Sequence, residues 1–105
     1  MFRVETQHGA NAVVMKIEGQ LRGDYAEYTR TLVTSCDSGM RLVVDLTDVT
    51  FVDSGGEEVL SLFGRVGVEF IADNVYSRDL CERLHLPLAR TAVRNRRRNS
   101  RENLV

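Results

Sequence analysis

Between Arg41 and Leu46 the chain runs through Leu42-Val43-Val44, a short apolar stretch without polar alternation. Unbroken apolarity over that length reads as a strand covered on both faces, as in a parallel or mixed sheet. Its neighbours set the topology. Upstream, Phe2, Val4 and Thr6 alternate with polar residues as a strand does, His8-Gly9-Ala10-Asn11 reads as a turn, and Ala12 to Glu18 reads as a second strand returning antiparallel. Gly19 to Gly23 is expected to be a loop. Tyr25, Tyr28, Leu32 and Cys36 then recur at helical spacing, with Asp24 placed to cap the start and Asp37-Ser38-Gly39 placed to end the helix. Downstream, Thr47 to Asp53 reads as a loop anchored by Val49, Phe51 and Val52. A helix begins near Ser54, with Val59, Leu60, Phe63 and Val66 on its apolar face and Gly67 as its stop. Val68 to Ala72 reads as a strand, Tyr76, Leu80 and Leu84 as one side of a third helix, and Pro87 as a breaker. The order is β-β-α-β-α-β-α, an α/β arrangement with right-handed crossovers and a mostly parallel or mixed sheet.

A chain of 105 residues predicts one domain. Its 43% hydrophobic and 28% charged content excludes a wholly disordered chain and a disulfide miniprotein. No apolar run is long enough for a membrane span, and MFRVETQHG lacks the shape of a signal peptide, so the expected address is cytoplasmic. The net charge of −1 conceals a split. Residues 1–89 hold eight of the fourteen Lys and Arg and fourteen of the fifteen Asp and Glu, whereas Arg90, Arg94, Arg96, Arg97, Arg98 and Arg101 face Glu102 alone. The expected organisation is a domain over residues 1–88 and an arginine-rich tail over 89–105, partly disordered or adding a short extra helix.

Little in the chain predicts catalysis. Cys36 and Cys81 stand far apart without metal-like spacing and are expected to be reduced thiols, and His8 and His85 have no clustered ligands. Neither a Walker nor a dinucleotide-type phosphate loop appears. The chain is therefore expected to be no enzyme and to need no metal or cofactor.

The informative stretch is LVVDLTDVTFVDSGGEEVL, residues 42–60. A buried strand feeds a segment that ends at Asp53-Ser54-Gly55-Gly56 and opens a helix. Helix N-termini collect unpaired N–H groups and a partial positive charge. A hydroxyl there, followed by two glycines, is accessible and tolerates close approach by another backbone. Ser54 to Glu57 also fits the S-x-x-E capping box, in which the serine would cap the helix and the glutamate reach back. Asp53 fits the capping position equally, which would leave Ser54 free.

This stretch resembles the STAS domain family of sulphate transporters and anti-sigma factor antagonists, through Val44-Asp45-Leu46-Thr47-Asp48-Val49-Thr50-Phe51-Val52-Asp53-Ser54. Lys16 to Leu21 resembles the family's second strand and following loop, Gly67 to Ile71 a later strand, and Leu80 to Leu84 its third helix. The resemblance covers roughly residues 2–88. It implies a single STAS-like domain with a mixed sheet of four to five strands and helices packed mainly on one face. It also implies a regulatory, protein-binding function of the anti-sigma factor antagonist type, acting in transcription regulation. The partner would be an anti-sigma factor that is a serine kinase, binding the unmodified chain and releasing it once Ser54 is phosphorylated. Carried over by position, Asp53, Ser54, Gly55, Gly56 and Glu57 form the partner-binding site. The chain departs from the family at Gly55, where a second hydroxyl is common, and at Glu57, where leucine is common.

Several other readings accompany this one. The same fold could serve as an unphosphorylated scaffold or adaptor in a multi-protein complex of the sensory or lipid-transport type. Tyr25, Tyr28, Phe51, Phe63, Phe70 and Tyr76 are expected in the core rather than on a nucleic-acid platform. The arginine tail could bind nucleic acid or an anionic surface by counterion release, or dock on the acidic body of a second copy as a homodimer would.

Overall fold

The alternation of residues 12–21 becomes a strand in which Val13, Met15, Ile17, Gly19 and Leu21 are buried and the residues between them are half-exposed. The computed structural model describes residues 2–35 and 39–89. Its strands are β1 (Phe2–His8), β2 (Ala12–Leu21), β3 (Arg41–Val52) and β4 (Glu69–Ile71), and its helices are α1 (Asp24–Thr34), α2 (Ser54–Arg65) and α3 (Val75–Leu84). The sheet order is β1-β2-β3-β4. β1 pairs antiparallel with β2, whereas β2 with β3 and β3 with β4 are parallel. The element order is the one read from the sequence, and the sheet is mixed. Beyond β4 a single parallel bridge joins Leu88 to Phe70.

Opposed residues of paired strands share a face, so the register separates two sides of the sheet. One side carries Met15, Ile17, Leu21, Val44 and Phe70. Ala26 and Val33 of α1, Leu60 and Phe63 of α2, and Leu80 and Cys81 of α3 join those residues in one core. The other side carries Lys16, whose Nζ pairs with Asp48 at 2.9 Å, and Asp45, buried and accepting from the Thr47 N–H at 3.0 Å. The hydrogen bond to Asp48 raises the Lys16 pKa above its ordinary 10.5. No described helix is long and apolar enough to cross a membrane.

Several sequence expectations need correction. Residues 47–52 are strand, not loop: β3 continues to Val52 beside β2, which itself runs past Glu18 to Leu21. Two register shifts, between Lys16 and Glu18 and between Gly19 and Gln20, absorb the irregularity. The polar Thr47, Asp48 and Thr50 look loop-like in isolation, but strand pairing overrides that propensity. In α1 the inward face is Ala26, Thr29 and Val33, with Leu32 half-buried against the core beside them, whereas Tyr25 and Tyr28 are exposed. The Thr29 hydroxyl donates to the Tyr25 carbonyl at 2.9 Å, which lets a polar residue sit inside. Cys36 lies outside the described residues, as do most of the arginine tail's residues.

The aromatic residues divide as well. Phe63 and Phe70 are core, but Tyr25, Tyr28, Phe51 and Tyr76 are exposed. Phe2 stacks on Tyr25 with centroids 4.5 Å apart and meets Tyr28 edge-on at 6.2 Å, so the two tyrosines cover the end of β1 instead of entering the core. Val66 is the exposed C-cap residue of α2 rather than part of its apolar face, and Gly67 follows it in the left-handed region at φ 99°. Asp24 is the first residue of α1 and does not cap it; Gly23 holds that place without a side-chain hydrogen bond.

Candidate functional site

The candidate site forms where β3 ends and α2 begins. Asp53 is the N-cap of α2 in an extended conformation, and its Oδ1 accepts from the Gly56 N–H at 2.8 Å. Its Oδ2 accepts from the Gly23 N–H at 3.2 Å. One carboxylate therefore satisfies orphan donors at the starts of two helices, α1 and α2, where partial positive charge favours it. The Asp53 N–H also donates to the Leu21 carbonyl at 3.3 Å, tying this corner to the end of β2.

With Asp53 in the capping role, Ser54 becomes the first helical residue. It is exposed, and no hydrogen bond engages its hydroxyl among the described residues. The capping-box alternative for Ser54 is corrected here, because Glu57 reaches out to Arg83 of α3 at 2.9 Å instead of back to the cap. Gly55 is half-buried, and a Cβ there would meet only Asp53 Oδ1, at 3.5 Å. Gly56 is buried, and a Cβ there would lie 2.5 Å from the Leu21 carbonyl oxygen and 2.8 Å from Val52 Cγ1. The two glycines thus differ in kind: Gly56 lets helix and sheet backbones touch, whereas Gly55 has room.

Ser54 opens onto a groove of about 800 Å³ between α1 and α2, lined also by Arg30, Glu58, Val59, Leu62 and Arg65. A second hollow of about 310 Å³ lies on the other side of Asp53, with Arg22, Gly23, Asp24 and Tyr25 around it. The structure brings all five predicted site residues together at one helix start, with Ser54 exposed and Gly56 inside. It adds two that sequence reasoning missed. Gly23, a glycine directly before an acidic helix start, was visible as a signal; the Arg83 partner of Glu57, 26 residues away, had none. No group of three or more metal-ligating side chains occurs among the described residues.

No protein-family model matches the sequence, and no curated protein matches it. Solved structures do match in shape. The unphosphorylated form of the anti-sigma factor antagonist SpoIIAA superposes with a TM-score of 0.66 at 15% identity, over 94% of this chain and 98% of that one. An antisigma-factor antagonist STAS domain from Rhodobacter sphaeroides gives 0.52 at 21% identity, over 68% of this chain and 84% of that one. The crystal structure of Mglu gives 0.58 at 21% identity over 68% of this chain, which spans only 19% of the Mglu chain. The strand order, the helix order and these superpositions agree that the chain has the fold of a STAS-like domain.

Proposed function

We propose that this chain is a regulatory protein-binding module of the anti-sigma factor antagonist type, switched by phosphorylation of Ser54. One observation carries the reading: Asp53 caps α2, so the neighbouring Ser54 hydroxyl is exposed and unengaged at the helix start. A serine needed only for the cap would occupy the capping position. The groove between α1 and α2 is the docking surface, apolar at Val59 and Leu62 and charged at its rim. A phosphate would add about −1.5 to −2 charges at the edge of that groove, beside Asp53 and Glu58. A partner face that is acidic or tightly packed at that point would be repelled without any rearrangement of the fold. The partner is a protein, an anti-sigma factor that is a serine kinase, and the setting is cytoplasmic transcription regulation.

The test is direct. The chain recovered from the cells that make it should carry phosphate on Ser54, and the Ser54→Ala variant should carry none there. The protein partner retained by the unmodified chain should bind Ser54→Asp at least about tenfold more weakly, because like charges facing each other across an interface cost several kcal/mol. An unmodified Ser54 together with equal affinity for Ser54→Asp would remove the switch and leave the scaffold reading. The acidic Glu57 and Glu58 beside Ser54, hostile to an approaching nucleotide phosphate, are what favour that second reading.

A further inference from the structure

The two edges of the sheet are unlike each other. On the β4 side, Phe70 exchanges hydrogen bonds with the 87–89 segment: its N–H donates to the Pro87 carbonyl at 2.8 Å, and its carbonyl accepts from the Ala89 N–H at 2.6 Å. On the β1 side, nothing pairs with the outer edge among the described residues. An open strand edge is a template for another strand.

The register of β1 shows what it presents. The β1–β2 ladder runs without a shift from Phe2 opposite Gly19 to His8 opposite Val13, and beyond it the Gly9 N–H donates to the Ala12 carbonyl at 2.8 Å. In an antiparallel ladder, hydrogen-bonded residues alternate with residues whose N–H and C=O point away. Arg3, Glu5 and Gln7 therefore bond to β2, and Phe2, Val4, Thr6 and His8 aim their backbone groups outward.

We propose that this edge is a homodimer interface, in which β1 pairs antiparallel with β1 of a second copy about a two-fold axis at Val4. That register places Val4 opposite the other copy's Val4 and Phe2 opposite its Thr6, all with outward-pointing backbone groups that can exchange hydrogen bonds. Arg3 then faces Glu5 of the other copy, twice by symmetry. Both are exposed on the sheet side away from the helices and already pair with each other within one chain at 2.6 Å, so the dimer would join two such pairs into one alternating cluster of four charges. Moving the axis to Glu5 would set Glu5 against Glu5, and moving it to Thr6 would leave Arg3 without an acidic partner. Charge thus selects the Val4 register. On the helix side, Phe2 of each copy comes beside Thr6 of the other, at the mouth of a groove of about 490 Å³ lined by Val13, Met15, Leu32 and Met40. Phe2 keeps its stacking on Tyr25 of its own copy, and its half-buried ring and the other copy's Thr6 close the seam on this side.

Sedimentation equilibrium of the full chain over a concentration series tests this. A dimer of twice 11.9 kDa is expected. Thr6→Pro should return it to monomer with its circular-dichroism spectrum retained, since the lost N–H points outward and proline is tolerated at such edge positions. Glu5→Lys should weaken the dimer roughly tenfold, because two facing pairs turn repulsive. The double variant Arg3→Glu with Glu5→Lys should restore it, because only the Val4 register puts the reversed charges opposite each other again. A monomer throughout, a dimer indifferent to Thr6→Pro and Glu5→Lys, or no rescue by the double variant would each overturn the proposal.

Discussion

Gly55 and Gly56 stand side by side and predict opposite responses to a single methyl group. At Gly56 a Cβ would press on the Leu21 carbonyl oxygen and on Val52, backbone and core that cannot retreat cheaply. Gly56→Ala should lower stability by about 1–3 kcal/mol, the usual cost of overpacking. Gly55 has only ordinary contact space and no left-handed φ. Gly55→Ala should raise stability by up to about 1 kcal/mol, because alanine loses less backbone freedom in a helix. Urea unfolding of both variants measures the two directions side by side. Sequence alone could place both glycines at a helix start, but not tell them apart, since the difference lies in what approaches from β2. The sequence leaves the division of labour between Asp53 and Ser54 open for the same reason. The second acceptor of Asp53 meets Gly23, 30 residues earlier, and only the fold brings that donor near.

The elements were legible where periodicity and punctuation agreed, and less so where polar residues were recruited into them. β2, α2 and α3 stand close to where patterning puts them, and Leu80 is buried as its spacing implies. α1 was placed correctly but turned the wrong way, because its two tyrosines outweigh Ala26 and Thr29 in any hydrophobic reading. They cap the end of β1 through Phe2 instead. α3 supplies a prediction of its own. Cys81 faces the core from this helix, and burial raises its thiol pKa from the ordinary 9.0 to about 11. In a Cys36→Ser background the thiol should react slowly with a disulfide reagent in the folded chain and fast in denaturant. The sign of the pH effect follows. Above the ordinary value the unfolded thiol loses its proton while the folded one keeps it, so the unfolded state binds fewer protons. Stability contributed by Cys81 should be intact below pH 9.0 and fall as pH rises toward about 11. Unfolding midpoints that fall no further than in a Cys81→Ala variant over that interval would contradict this.

At the scale of the molecule, the sequence shows an acidic body followed by arginines, and the placement of Leu86 to Ala89 turns on contacts that periodicity does not encode. The chain leaves α3 through His85 in the left-handed region, and the Leu86 N–H donates to the Cys81 carbonyl at 2.8 Å. Leu86 is buried in the core cluster and lies against Gly64 of α2, where a Cβ would come within 3.3 Å of it. Pro87, read from sequence as a breaker, follows the end of α3 at Leu84 and also supplies the carbonyl that Phe70 needs, and Ala89 completes the exchange. These four residues close the β4 edge, whereas among the described residues nothing pairs with the outer edge of β1, and this asymmetry directs the proposed strand-to-strand association to one side of the sheet. A chain ending at His85 should therefore be less stable than one ending at Ala89, a comparison in which the arginine tail is missing from both. Burial of Leu86 contributes about 1.5–3 kcal/mol, and each hydrogen bond to Phe70 adds about 0.5–1.5 kcal/mol. The shorter chain should unfold at a lower urea concentration by an amount worth roughly 3 kcal/mol or more. Equal midpoints for the two truncations would show that the 86–89 segment adds nothing to the sheet, and the closed edge would have to be abandoned.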